Sequence, residues 1–317
     1  MKPQTDELLG EAFAIEMRLV MGSREAGARV LRNTSDPYVQ VLNLREMTAR
    51  LKRSVAGVEE FVEAQAACVL EWTERDREEV ARLQPRMLQS LQKNASRVLE
   101  WLPKQTDLYL TSGAEETGLT QGPDSRIAYC RGLQSVFFSR AYLDWEAHRD
   151  TAEHVLMHEL WHIVSRNMPP AALDAVYAEF GFRRLPQPLR NLHPWRLSNP
   201  DALILEHYME VEGKSFVPVL MLNPTFNVLS KTETQFDHML LMVALLTEDR
   251  RDFAGPVYEL RSNPGLSEAV LRLVGRNTGY LLHVEEAVAV NFAMMVREEH
   301  CQDRPKLDQL RRVLHAQ

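Results

Sequence analysis

The sequence predicts an α+β chain, mainly α, with a small mixed or antiparallel sheet. Long stretches carry apolar residues at three- and four-residue spacing, the signature of amphipathic helices. One stretch, Asp107 to Leu143, is instead rich in aromatic and β-branched residues and is punctuated by Gly132, which reads as two or three strands. The composition, 45% hydrophobic and 26% charged over 317 residues, is that of an ordinary globular protein able to bury a sizeable core, and it excludes collagen-like, low-complexity and wholly disordered chains.

Taken in order, Thr5 to Met21, Leu42 to Trp72 and Arg75 to Trp101 read as three helices, separated by Gly22 and the Asn33 to Pro37 turn signals, with Pro85 kinking the third or marking its first turn. After the strand-like stretch, Asp150 and Glu153 form a capping-box-like start to a strongly apolar helix, AEHVLMHELWHIVSR. Pro169 and Pro170 close it and open a further helix that stops near Gly181. The segment HYMEVEGKSFVPVLML reads as a hairpin turning at Gly213-Lys214, with Pro218 demoting its second strand towards an edge. The remainder reads as helices over Gln235 to Leu246, Ser267 to Val274, Leu281 to Glu299 and Lys306 to His315. A boundary near residue 104 divides an N-terminal helical region, 1–103, from the rest, 104–317, although no Pro/Gly/Ser linker enforces it and one domain remains an alternative.

A formal charge of -7 lacks the basic excess that binding to a phosphate backbone requires, so no nucleic-acid partner is expected. Cys68, Cys130 and Cys301 are far apart and odd in number, which reads as neither a disulfide framework nor a paired-cysteine zinc knuckle. The N-terminus lacks an apolar signal core, and the longest apolar runs, such as MLLMVALLT, fall well short of the roughly 20 residues of a membrane span. The expectation is a cytoplasmic chain without a membrane span.

The chemistry lies in His158-Glu159-Leu160-Trp161-His162, an HExxH motif on a predicted helix. Residues four apart on a helix lie only about 40° apart around its axis, so both imidazoles face one way and can grip one ion. Glu159, rotated by about 100° from His158, flanks that ion rather than binding it, which is the position of a general base. The surrounding side chains are large and apolar, so the polar groups of this helix need partners once buried. His154, one turn earlier, reads mainly as a packing or capping residue.

Two imidazoles leave a zinc site open for a third protein ligand and water. Ser165 and Met168 stand where a metzincin needs Gly and His, so that class is excluded. A carboxylate on a later helix remains, and YLLHVEEAVAVNFAMMV offers Glu285 and Glu286, with Glu206, Glu210 and Glu212 as outside candidates. From Glu286 the chain reads E-A-V-A-V-N-F-A, which resembles the E-x-x-A-D-x-F-A pattern of the third-ligand helix in gluzincin-type metallopeptidases. Together with HELWH, this resemblance covers two short segments. It implies a zincin-like fold with zinc held by His158, His162 and Glu286 and with Glu159 as the base. Val290 departs from the pattern where an Asp often orients a metal-binding histidine, which implies a different support, with Asn291 as one candidate.

The function this implies is zinc-dependent hydrolysis of a peptide bond in a peptide or protein substrate, the alternative being a zincin-scaffold binding or regulatory protein with a structural or inactive metal site. Zinc rather than magnesium follows from imidazole ligation. By residue type alone, Tyr208, His207, Tyr280 and His283 are available as donors to a tetrahedral oxyanion.

Overall fold

The computed structural model describes residues 17–119, 125–143, 149–227, 233–279 and 283–315. In chain order these form β1 (Arg18–Met21), α1 (Arg24–Leu31), α2 (Pro37–Val41), α3 (Leu44–Leu51), α4 (Val58–Ala67), β2 (Val69–Leu70), α5 (Glu74–Asn94), β3 (Gln105–Thr111), α6 (Ala114–Thr117), β4 (Ala128–Arg131), β5 (Ser135–Ser139), α7 (Arg149–Asn167), α8 (Pro170–Glu179), β6 (Phe182–Leu189), β7 (Leu205–Val211), β8 (Lys214–Leu222), β9 (Met239–Leu246), β10 (Phe253–Glu259), α9 (Pro264–Val274), α10 (Val284–Val296) and α11 (Arg304–Leu314). The architecture is α+β, with helix outweighing strand by 47% to 22%.

The first sheet is mixed, in the order β1-β3-β5-β4, with β2 also pairing to β3. Strands β1, β3 and β5 run parallel, and β4 closes one edge antiparallel to β5. Strand β1 pairs with the first half of β3, and β2 takes over the same edge at Leu110 and Thr111. These pairings join chain on both sides of residue 104. The core does so as well: Leu83, Met87 and Leu91 of α5 pack in one cluster with Leu156, Leu160 and Ile163 of α7 and Phe292 of α10. The second sheet is an antiparallel meander, β10-β9-β8-β7-β6.

Several elements differ from the sequence-based expectation. Residues before Met17 lie outside the described part of the expected first helix, and Arg18–Met21 is a strand. Its four residues are too few to display a period, and pairing with β3 decides their conformation. Gly22 follows because the chain passes so close to β3 that a Cβ there would fall 2.1 Å from the Tyr109 ring. The expected 42–72 helix is broken: an Asn43/Glu46 capping box starts α3, Lys52 ends it at φ 52°, and Gly57 precedes α4. Pro85 sits inside α5, which remains helical to Asn94.

The expected helix over Gln235 to Leu246 is one 3₁₀ turn followed by the strand β9. Met239–Leu246 is a continuous apolar run, and such a run has no period to separate a buried strand from a buried helix. The hairpin exists, one residue earlier than expected: Glu212 and Gly213 occupy its turn at φ 51° and 75°, the left-handed pair that a tight two-residue turn requires. Strand β8 is central, not an edge. Its ladder with β7 ends at Phe216, two residues before Pro218, so the missing N–H removes no rung there. No helix among the described residues is long and apolar enough to cross a membrane.

Candidate metal centre

Helix α7 is buried on nearly every side: Leu156, Met157, Leu160, Trp161, Ile163 and Val164 are all core residues. Its principal neighbour is α10, whose run VEEAVAVNFAMMV is equally apolar, and the Trp161 and Phe292 rings lock the two together at a centroid distance of 5.3 Å. A helix buried all round has no solvated face on which to leave a charge, so its polar residues must be matched by neighbours. His158 and His162 lie one turn apart on α7, with ring centroids 4.9 Å apart, and both face the first turn of α10. His283 caps that turn by accepting from the Glu285 N–H at 3.1 Å; burial holds its imidazole down at a pKa of about 4, which keeps the accepting nitrogen free of a proton.

Glu285 and Glu286 project about 100° apart on α10 and meet different atoms. The Glu286 Oε2 atom lies 3.1 Å from His158 Nε2 and 3.8 Å from His162 Nε2. One donor atom from each of His158, His162 and Glu286 falls within 4.8 Å of the other two. The other oxygen of Glu286 accepts from the Asn199 side-chain amide. Glu285 instead takes the far nitrogen of His162, with Oε1 2.8 Å from Nδ1, and it also accepts from Ser165 Oγ at 2.5 Å and from the Tyr177 hydroxyl. Glu285, as an acceptor, places a proton on Nδ1 of His162 and turns Nε2 towards Glu286 and His158.

His162 Nε2 is fully buried and has no hydrogen-bond partner among the described residues. Leaving such an atom unmatched costs about 1–3 kcal/mol, which the surrounding structure has not avoided. The electrostatics point the same way. Burial opposes a charge on His162, but Asp201, Glu286 and Glu285 outweigh it and hold the imidazole up to about 10. Burial likewise opposes ionisation of Glu286, yet His162 and His158 hold its carboxyl down to about 2. This pocket calls for positive charge at the point where two imidazole nitrogens and one carboxylate oxygen converge. That donor set suits a zinc ion, with a further coordination position left for water.

Glu159 projects about 100° from His158 around α7. It is buried, and its Oε2 accepts from the Cys130 thiol on β4 at 3.4 Å. Burial, with the Asp201 charge beside it, pushes its carboxyl well above the usual range. His158, Glu159 and Glu286 line one cleft of about 440 Å³, within the size range of small-molecule and peptide-side-chain sites. The antiparallel edge strand β4 and the loop before it form one wall of the cleft, and Leu197, Leu220, Phe236 and Met239 form an apolar wall.

The remaining candidates are engaged elsewhere. His154 reaches Glu299 at 3.0 Å on the cleft rim. Glu206 and Glu210 on β7 pair with Arg184 and Arg183, at 3.7 and 3.6 Å, and Glu212 is an exposed turn residue. Asn291 bonds Ala287 and Asn277, so it supports neither histidine, and the carboxylate missing at Val290 has a counterpart in Glu285. His207 bonds Asp174 at 2.7 Å, and Tyr208 packs in the second sheet's core beneath Arg250. Tyr280 lies outside the described residues.

Sequence reasoning missed four participants: Tyr142, Ser165, Asn199 and Asp201. Tyr142 lines the cleft, and burial and then the Glu159 charge raise its hydroxyl to about 12, so it remains a donor at neutral pH. Ser165 carried a usable signal, being three residues past His162 on the same helix. Asn199 and Asp201 carried none, since an Asn-Pro-Asp run reads first as a turn. Comparison of the chain with family models, with curated proteins and with solved structures finds no match in any of the three.

Proposed function

We propose that this chain is a zinc-dependent metallopeptidase whose ion is held by His158, His162 and Glu286, with Glu159 as general base. The observation that carries this reading is the buried Nε2 of His162, without a hydrogen-bond partner among the described residues, grouped with His158 and Glu286, which line the cleft. A zincin-like fold is the finer reading of the architecture, supported by a mixed sheet whose antiparallel edge strand packs against the HExxH helix.

Bound zinc would supply a Lewis acid for the scissile carbonyl and lower the pKa of its water towards about 7. Glu159, buried beside His158 in the cleft, would take a proton from the attacking water and pass it to the leaving amine. Tyr142 stays protonated and offers a hydroxyl to the developing oxyanion. The apolar wall excludes water from the reacting groups and receives an apolar part of the substrate.

One observation favours the second reading, a binding or regulatory protein with a structural metal: the Glu159 carboxylate is already hydrogen-bonded by Cys130. A single experiment separates the two. Purified protein is analysed for metal and incubated with a peptide library, with and without chelator, beside Glu159→Gln. The peptidase reading expects about one zinc per chain in both proteins, chelator-sensitive cleavage by the parent, and a loss of at least roughly 10²–10⁴-fold in Glu159→Gln. Equal cleavage by both proteins, or zinc without any cleavage, sinks the peptidase reading.

A further inference from the structure

Resting on this metal reading, we infer that Asn199 is the positioning residue that makes Glu286 a one-oxygen ligand and so keeps the fourth coordination position open to the cleft. Asn199 is joined to Glu286 and to its own loop by hydrogen bonds at both ends of its amide. The side-chain Oδ1 accepts from the Asp201 N–H at 2.9 Å, an Asx turn around Pro200. That bond fixes which end of the amide is oxygen, and the NH₂ end therefore faces Glu286, where it donates to Oε1.

The segment that carries Asn199 is tied down on both sides. Before it, the Ser198 N–H donates to Glu46 at 2.5 Å, the Ser198 carbonyl accepts from Arg50, and the Leu197 N–H donates to Leu220 on β8 at 3.0 Å. After it, Asp201 accepts from Arg166 of α7 at 2.9 Å and from the Cys130 N–H of β4 at 3.0 Å. A donor mounted on backbone anchored to α3, β8, β4 and α7 has little freedom to follow Glu286 if the carboxylate turns. Asn199 is thus a fixed reference for the ligand.

A carboxylate can grip an ion through one oxygen or two. With Oε1 engaged by Asn199, only Oε2 is presented to His158 and His162. Three protein donors then remain, which is the arrangement that leaves zinc a position for water. Without the amide, Glu286 is free to bind through both oxygens or to swing off the ion.

The test uses the full chain, prepared without nickel resin, as the parent, Asn199→Leu and the smaller Asn199→Ala. Zinc affinity is measured by competition with a chromophoric chelator, the visible spectrum is recorded with cobalt alone as the probe, and thermal unfolding in excess EDTA reports the fold of each variant. The expected result is a zinc affinity 10–100-fold weaker in both variants, with a cobalt spectrum altered in intensity, while unfolding in EDTA stays close to the parent. A role confined to holding the loop would move the unfolding and leave the cobalt spectrum alone. Parental zinc affinity and an unchanged cobalt spectrum in whichever variants fold overturn the inference while leaving the metal reading intact. A parent that takes up neither zinc nor cobalt overturns both.

Discussion

Two triads of ligand-type side chains flank the same helix, and they differ in what they leave unmatched. His158, His162 and Glu286 form one set and Cys130, Glu159 and Asp201 the other, and within each set the donor atoms fall within 4.8 Å of one another. The second set is closed by the protein's own donors. The Cys130 thiol donates to the Glu159 carbonyl and carboxylate at 3.4 Å each, and Asp201 accepts from Arg166 and from the Cys130 backbone. Burial also pushes the Cys130 thiol well above its ordinary pKa, whereas a metal needs the thiolate. In the first set, by contrast, His162 Nε2 has no hydrogen-bond partner among the described residues, although its Nδ1 is held by Glu285. Proximity of ligand-type groups is common to both sets; a buried ring nitrogen without a hydrogen-bond partner among the described residues belongs to the first alone.

The largest expected effects break the first triad. His158→Ala, His162→Ala and Glu286→Ala each remove one of three protein donors, and each should lose stoichiometric zinc in metal analysis after gel filtration. Normal zinc content in all three variants would erase the contrast between the two sets.

A smaller effect separates the two adjacent glutamates. Glu285 touches His162 only through Nδ1, so Glu285→Ala should retain most of its zinc at saturating metal while its affinity falls by about 10–100-fold. Glu286→Ala should be empty under the same conditions. If the two variants exchange these behaviours, Glu285 is the ligand and Glu286 its support.

How much of this was legible in the sequence follows from the range of the forces involved. The HExxH clamp is local: four residues along one helix fix the relation of His158 to His162, so it can be read without tertiary information. Glu286 rests on the short resemblance around it, and the division of labour with Glu285 follows from their adjacency on a helix. The roles of Asn199 and Asp201 depend on a loop that reaches back to α3, β4 and α7, contacts between residues far apart in sequence. The same distinction governs the fold. Helices with polar intervals, such as α5 and α11, announce their period, whereas β1 is too short and β9 too uniformly apolar to show one. Pro218 misled because a proline reports a missing donor but not where the neighbouring ladder stops.

The smallest expected effect is the one that tests the closed triad. Cys130 is fully buried on β4, its thiol bonded to Glu159, and it resembles a metal ligand by residue type and distance alone. If it is only a small buried group with a weak donor, Cys130→Ala should leave zinc content and affinity unchanged and cost about 1 kcal/mol of stability, the scale of a typical single substitution. Cobalt-loaded parent should then show no intense near-ultraviolet thiolate-to-metal band, because no sulfur is bound. A band that disappears in Cys130→Ala, or a zinc affinity that falls with that substitution as far as with Glu285→Ala, would mean that the ion draws on both sets. Glu159 would then sit between two ligand sets, and its assignment as a base clear of the metal would have to be given up.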